Sequence, residues 1–174
     1  MGGSTRSLIA LRNHFLLLSL QAFFVYPLPD FPDNLTSSFG EYRTGHLHAG
    51  LDIGTGGETG HRVLAAADGQ VVRLKSERRG YGRVVYIQHD NGYITVYAHL
   101  EEFAPKIKAA VPSSRYFDLL LGSPLPVKKG EIIALSGESG AGLPHLHFEV
   151  RRGFGQPVEP FSAGLEKVKE SAPI

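Results

Sequence analysis

Alternating apolar and polar residues predict short β-strands along most of the chain. The clearest pair is Val84–His89 and Tyr93–Leu100, which are separated by an Asp-Asn-Gly turn signal. This tripeptide between two alternating runs favours a tight antiparallel hairpin. Val63–Ala67 and Gln70–Lys75, separated by Asp-Gly, predict a second hairpin of the same kind.

Glycine and proline interrupt the remaining pattern and limit the other elements. Further strands are predicted at Leu35–Gly40, His48–Ile53, Glu131–Ser136 and His145–Arg151, with a short helix at Ala104–Ala110 and a turn at Val127–Gly130. The chain is therefore predicted to be mainly β, with an antiparallel sheet and few short helices.

The predicted strand His48–Ile53 places polar groups on one face. Successive side chains of a strand point to opposite faces, so His48, Gly50 and Asp52 share one of them. Because glycine has no side chain, we expect a gap between the imidazole and the carboxylate that an ion could occupy.

Two later strands add histidines in the same way. In the last strand, His145, His147 and Glu149 share a face. Glu149 could accept a hydrogen bond from a histidine N–H or form a surface ion pair. In the second strand of the Asp-Asn-Gly hairpin, His99 shares a polar face with Tyr97. The alternating residues of that strand are predicted to face the core: Ile94, Val96, Ala98 and Leu100.

Composition narrows the range of functions. The chain has 174 residues, which suits one domain, and a formal net charge of +1, which gives no field that would favour nucleic acid. The absence of cysteine excludes disulfides, Cys-ligated zinc and thiol nucleophiles. Eight histidines are the compositional signal, because at least four of them lie in short patterned stretches.

The two ends are predicted to differ from the body of the chain. Two arginines precede an apolar run at Phe15–Val25. Such a run resembles a secretory signal and is short for a membrane span; a helix or strand lying on the domain is the alternative. We therefore assign residues 1–27 to a signal-like or apolar segment, 28–162 to the domain and 163–174 to a tail or linker.

The patterned histidines and Asp52 have the chemistry of a catalytic zinc site. Zinc accepts imidazole nitrogen and carboxylate oxygen, and three protein ligands leave a fourth position for water. His48, Asp52 and one member of the pair His145 and His147 would supply such a set, and the pattern alone leaves that member open. Proton transfer at neutral pH suits the histidines that are not ligands, His99 and the other member of the pair.

The other four histidines are interpreted as hydrogen-bonded or solvated residues. They are His14, His46, His61 and His89. His89 directly precedes the Asp-Asn-Gly turn and is predicted to brace it.

Six segments, taken in order, resemble a known family. They are SSFG, HAGLD, VLAAADGQVV, GYGRVVYIQHDNGYITVYAHL, VKKGEIIALSGESG and PHLHFEVR. With these segments the chain resembles the M23 peptidases, the zinc endopeptidases of the lysostaphin and LytM type, which cut peptide bonds in bacterial peptidoglycan. Compact members have only a few residues where this chain has 101–126, and we expect this insertion to wall the groove.

The resemblance implies a LytM/lysostaphin-like antiparallel sheet, a duplicated hybrid motif, that forms an open groove with one Zn²⁺ on its floor. The implied zinc ligands are His48, Asp52 and His147, and the implied catalytic histidines are His99 and His145. Tyr42 matches a tyrosine that some members place near the oxyanion, and a groove-wall aromatic is the alternative.

The implied function is that of a metalloendopeptidase that hydrolyses peptidoglycan stem peptides or cross-bridges with zinc-activated water. We expect a monomer of the cell envelope, periplasmic or secreted, with no nucleic-acid partner and no stable membrane span. The alternative is a non-catalytic LytM-type regulator that activates a cell-wall amidase, although such relatives lack metal-site residues that are present here. A β-barrel binding module would leave the histidines unexplained.

Overall fold

The computed structural model describes residues 23–166, which form a mostly antiparallel β-structure with one short helix. The elements are β1 (Leu35–Ser37), β2 (Tyr42–Arg43), β3 (His46–Leu47), β4 (Leu51–Gly54), β5 (Arg62–Leu64), β6 (Gly69–Ser76), β7 (Arg83–Gln88), β8 (Tyr93–Phe103), α1 (Pro105–Lys108), β9 (Phe117–Val127), β10 (Ile132–Ser136), β11 (His145–Arg152) and β12 (Gln156–Val158). The mainly β fold predicted from the sequence is confirmed.

One ten-stranded sheet carries most of these elements, and β2 and β3 form a separate two-stranded hairpin. The main path of the sheet runs β1-β4-β11-β8-β7-β6-β9. Strand β11 lies between β4 and β8, with His147 opposite Asp52 on one side and Ala98 on the other. This central position brings three distant stretches of sequence together.

The central sheet buries both of its faces. The apolar residues of β11 enter the main core, as the alternation predicts; they are Leu146, Phe148 and Val150. A smaller apolar cluster lies on the opposite face: Val84, Tyr86, Ile94, Val96 and Ala98. Because paired residues of neighbouring strands share a face, His147 and Glu149 lie on the side of this smaller cluster.

The prediction for the faces of β8 is therefore right for Ile94, Val96, Ala98 and Leu100, which are buried, and wrong for Tyr97, which was predicted on a polar face. Tyr97 is fully buried in the main core, while Val96 and Ala98 lie on the face of His147. Period-2 alternation separates two faces but cannot say which is buried when both carry apolar residues.

A β-bulge in β8 reverses the orientation of His99. The pairing of β7 with β8 shifts between Arg83, opposite Leu100, and Val85, opposite Tyr97, so β8 has one extra residue there. His99 has φ of +61°. A bulge re-aims a side chain, and His99 accordingly lies beside His147 instead of following Tyr97 into the core.

The Asp-Gly hairpin is also predicted wrongly. Strand β5 pairs with β10, and β6 pairs with β7 and β9. Asp68 instead accepts hydrogen bonds from the backbone and side chain of the Lys128–Lys129 turn. The buried alanines 65–67 carry the chain from β5 to β6 through the core.

Most other predicted elements are found with small changes of boundary, but the strand predicted at His48–Ile53 begins only at Leu51, so His48 lies in the segment before β4 and does not share a strand face with Asp52. The Asp-Asn-Gly hairpin forms between β7 and β8 and is closed by His89 N–H on Tyr93 O at 2.9 Å. The predicted short helix is α1. The insertion contains α1 and the edge strand β9, which lengthens the sheet beside β6.

Both ends of the described chain pack on the domain. Phe24 and Tyr26 are buried, and Phe24 forms a parallel bridge with Leu165. The signal-like segment lies mostly in residues 1–22 and the tail mostly in 167–174, outside the described residues, so these assignments stay predictions. Within residues 23–166, no helix combines the length and the apolar character that crossing a membrane requires.

Candidate metal centre

Three side chains from β4, β11 and the segment before β4 converge on one point. Oδ1 of Asp52 lies 3.1 Å from Nε2 of His48 and 2.8 Å from Nδ1 of His147, and the two nitrogens are 3.0 Å apart. All three residues are buried. Ligands about 2.0–2.1 Å from a tetrahedral zinc ion lie roughly 3.3 Å apart, so the spacing suits such an ion.

The outer atoms of the two histidines fix which nitrogen carries the proton. His48 donates from Nδ1 to the carbonyl of Ser38 at 2.7 Å, and His147 donates from Nε2 to Glu149 Oε1 at 2.8 Å. A neutral imidazole has one donor and one acceptor nitrogen. With both rings neutral the inward atoms are three acceptors, so the point between them suits positive charge, either a metal cation or a proton that lets a histidine donate to Asp52.

The electrostatics favour positive charge at this point. Burial alone would raise the pKa of Asp52, but hydrogen bonds from His147 and His48 lower it well below its usual range. Burial opposes a charge on His147, yet hydrogen bonds to Asp52 and Glu149 raise its pKa. The same two carboxylates that attract a proton would attract a metal ion, and the N, N, O donor set suits zinc.

Two further histidines stand beside the cluster. The ring centroid of His99 lies 4.5 Å from the ring centroid of His145 and 5.8 Å from that of His147. His145 Nε2 lies 3.7 Å from Asp52 Oδ1. Each ring donates its Nδ1–H to a carbonyl, of Ser139 for His99 and of Leu143 for His145, which leaves Nε2 as the acceptor nitrogen.

A close contact between two loops holds the acceptor of His99 in place. A Cβ at Gly82 would lie 2.0 Å from the carbonyl oxygen of Ser139. Only glycine allows this approach, so the loop before β7 fixes the loop that positions His99. Burial lowers the pKa of His99 to about 4, so its ring is neutral at pH 7.

Glu149 lies at the centre of a buried network beneath His147. It accepts from His147, from Tyr81 Oη at 2.6 Å and from Arg151 Nε. Burial alone would raise the pKa of Glu149, but hydrogen bonds from His147 and Arg151 lower it to about 2. Of the two alternatives from the sequence, the structure places Glu149 as a buried acceptor for a histidine N–H.

Gly50 serves a purpose different from the one predicted. A Cβ at this position would lie 2.2 Å from the carbonyl oxygen of Phe148 and 2.8 Å from Cγ of Glu149. The space beside Gly50 is thus filled by β11 and leaves no room for an ion. The missing side chain lets the chain approach β11, and this approach brings His48 next to His147.

The β2–β3 hairpin lies at the edge of the site. Tyr42 pairs with Leu47, and their side chains are 80% and 63% exposed. Arg43 pairs with His46, and both line a cavity of about 360 Å³ that also contains His48, His99 and His147. His46, interpreted from the sequence as a bystander, therefore lies in the cavity wall.

Sequence reasoning missed three residues that contact the site. Arg43 donates to Asp52, Tyr81 donates to Glu149, and Ser139 accepts from His99. Tyr81 and Ser139 lie in glycine-rich loops, whose paths carry no periodic signal. Arg43 is next to Tyr42, but the direction of its side chain depends on the β2–β3 hairpin, and neither of these two strands was predicted from the sequence.

Comparison with known proteins matches residues 46–114 to the model of Peptidase family M23. The DD-carboxypeptidase/endopeptidase Mpg of Neisseria meningitidis is 38% identical over 123 residues, 70% of this chain and 24% of the relative. The murein hydrolase activator NlpD of Escherichia coli is 33% identical over 102 residues, 59% of this chain and 22% of the relative. The chain thus spans about a quarter of the length of these curated relatives.

Solved structures share the fold. A zinc containing peptidase from Vibrio cholerae has a TM-score of 0.59 at 30% identity, covering 84% of this chain and 41% of the other. The catalytic domain of lysostaphin from Staphylococcus simulans has a TM-score of 0.59 at 22% identity, covering 79% and 97%. The predicted LytM/lysostaphin-like fold is confirmed.

Proposed function

The chain belongs to peptidase family M23, and from this premise we propose that it is a zinc-dependent endopeptidase acting on peptide bonds of bacterial peptidoglycan. Its substrates would be stem peptides or cross-bridges in the cell envelope, where the protein would be periplasmic or secreted. The observation that carries the proposal is the convergence of three buried acceptors on one point, with two more histidines beside them.

In this proposal His48, Asp52 and His147 hold one zinc ion through Nε2, Oδ1 and Nδ1. When bound, the zinc ion would act as a Lewis acid and would lower the pKa of a water molecule attached to it. The protein supplies fixed tautomers, because Ser38 and Glu149 take the outer protons of the two histidines. It also supplies a buried carboxylate that stays ionised, since the pKa of Asp52 is far below its usual range.

His99 and His145 are proposed to move protons during hydrolysis. Both present Nε2 as the free nitrogen, since their Nδ1–H groups are bound to carbonyls. The depressed pKa of His99 keeps its ring neutral and able to accept a proton. Tyr42 stays a predicted oxyanion contact; it is carried by the exposed hairpin, so bound substrate would have to meet it there.

The test is a digestion of cross-linked muropeptides followed by mass spectrometry of the products. We expect about one zinc per chain, cleavage that stops with a chelator, and recovery when zinc is returned. The products would also identify the bond that is cut. A folded protein that holds zinc and leaves every muropeptide intact would contradict the proposal.

The name of one relative, a murein hydrolase activator, favours a second candidate function. In that case the chain would activate a cell-wall amidase without hydrolysing peptide bonds itself. The complete set of His48, Asp52, His99, His145 and His147 argues for the enzyme instead, because an activator has no use for these tautomers. Stimulation of an amidase by a metal-free protein without hydrolysis of its own would establish the second function.

A further inference from the structure

We propose that Arg43 is a positioning residue for the metal centre. It holds Oδ2 of Asp52 so that Oδ1 alone faces the two histidines, and it ties the β2–β3 hairpin to the site. The inference rests on the proposed function, because it takes Asp52 as a zinc ligand. It adds a residue outside the six that the family resemblance supplies.

The contacts of Asp52 divide its carboxylate into two halves. Oδ1 faces His48 and His147, whereas Oδ2 lies 2.5 Å from Nη2 of Arg43. The side chain of Asp52 is only 8% exposed, so Oδ2 depends on a protein donor. A carboxylate can bind a metal through one oxygen or through both, and a guanidinium on Oδ2 favours the first mode.

Arg43 is itself held in place from a second direction. Its Nη2 also donates to Oγ of Ser37 at 2.9 Å, and that oxygen lies 3.3 Å from Nδ1 of His48. Arg43 and Ser37 thus touch two of the three ligand side chains on the side away from the cluster. A planar guanidinium can serve two acceptors in fixed directions, which an ammonium group cannot do as well.

The position of Arg43 in the hairpin gives the contact a second consequence. The base of the hairpin is closed by Gly40 N–H on His48 O at 2.9 Å and His48 N–H on Glu41 O at 2.8 Å. Arg43 adds a contact beyond this base, from β2 back to Asp52. We therefore expect its loss to free the hairpin, including the exposed Tyr42, as well as the carboxylate.

The test compares Arg43→Gln and Arg43→Lys with Arg62→Gln. Arg62 donates to Asp30 at 3.2 Å on the exposed surface, which makes it a matched arginine–aspartate control. Loss of a group that orients a metal ligand typically weakens metal binding about 10–100-fold. We expect this loss in Arg43→Gln, a smaller one in Arg43→Lys and none in Arg62→Gln, measured by zinc competition with a chelator.

A second measurement separates positioning from general destabilisation. The visible absorption of the cobalt(II)-substituted proteins reports the coordination number, and a carboxylate that binds through both oxygens weakens these bands. We expect weaker bands in Arg43→Gln and a wild-type spectrum in Arg62→Gln. Far-UV circular dichroism checks that the variants are folded, and Arg43→Lys provides a conservative second variant.

The outcomes for the two proposals can be told apart. Wild-type zinc affinity and wild-type cobalt spectrum in Arg43→Gln would overturn the role of Arg43, even where the wild type cleaves muropeptides. A wild type that binds neither zinc nor cobalt would overturn the metal centre and this inference with it. Both readouts measure metal binding and do not depend on turnover.

Discussion

Two buried histidine networks lie on opposite faces of the central sheet and share strand β8. On one face, His48, Asp52 and His147 direct three acceptors at one point. On the other face, His89 donates to Asp68 O at 2.8 Å and lies 2.8 Å from Thr95 Oγ1. That network continues from Thr95 to Tyr97 Oη at 3.0 Å and ends at Ala66 N–H, which donates to Tyr97 at 2.8 Å.

Burial does not distinguish the two networks, since His48 and His89 are each 3% exposed. The two networks differ in the balance of hydrogen-bond donors and acceptors. In the His89 network every polar group finds a protein partner, because a hydroxyl both donates and accepts. In the candidate metal centre the inner acceptors face one another, and only positive charge between them, a metal ion or a proton, would satisfy them. A candidate functional histidine is thus recognised by an unmatched acceptor, and we expect changes in the two networks to affect different properties.

The largest effect is expected for His147→Ala in the metal centre. This change removes one of the three inner acceptors. Loss of a residue that only hydrogen-bonds to a metal ligand weakens metal binding by up to roughly 100-fold, and we expect zinc affinity to fall by more than that. Cleavage of muropeptides should be lost with the zinc. Zinc content by atomic absorption, together with a turnover assay, provides the measurement. Full zinc occupancy and turnover would show that His147 is not a ligand.

A smaller effect is expected for Glu149→Gln, beneath the metal centre. The amide can still accept from His147, but Arg151 loses its carboxylate partner. We expect zinc affinity to fall about 10–100-fold, and stability to fall as well, because the partly buried guanidinium of Arg151 loses its opposite charge and keeps only neutral partners, Phe154 O and Tyr81 Oη. Glu102→Gln, which alters an exposed pair with Lys108, is the control. Equal zinc affinity in the two variants would remove Glu149 from the metal centre.

Local patterns predicted the strands better than their orientation. The Asp-Asn-Gly hairpin and the faces of β11 follow from turn chemistry and period-2 alternation, which act over a few residues. The side on which His99 lies depends on one bulged position, and bulges follow from pairing between strands. Alternation predicted His99 on the face of Tyr97, so the position of this residue in the site came from the motif and not from the strand pattern.

Long-range contacts decide the other features that were predicted wrongly. Asp68-Gly69 has the composition of a hairpin turn, yet Asp68 bonds the turn at Lys128–Lys129, sixty residues later in the chain. Gly50 was interpreted as space for an ion, but it allows contact with Phe148. In both cases local sequence rules suggested a turn or a gap, whereas the residue allows two segments that are distant in the sequence to come into contact.

In the second network, Tyr97→Phe should affect stability and leave the metal centre unchanged. The change removes the acceptor of a buried N–H, that of Ala66, which costs about 1–3 kcal/mol of unfolding free energy. Urea denaturation measures this loss, and Tyr116→Phe, at a side chain that is 44% exposed, is the control. A Tyr97→Phe variant that loses zinc would show that the two networks are coupled through β8.

The smallest effect is expected in the pH dependence of the His89 network. Burial lowers the pKa of His89, although its hydrogen bond to Asp68 O opposes this shift. The unfolded chain therefore binds a proton more readily, so His89 contributes its full stability above about pH 6.5 and loses it as the pH falls toward the folded pKa. The loss has a ceiling of about 1.4 kcal/mol per pH unit for one proton. Urea denaturation of the wild type and His89→Gln, both with chelator, at pH 7.5 and 5.5 measures it. We expect the wild type to lose more unfolding free energy than the variant over this interval, and an equal loss in both would show that His89 titrates alike in the folded and unfolded chains.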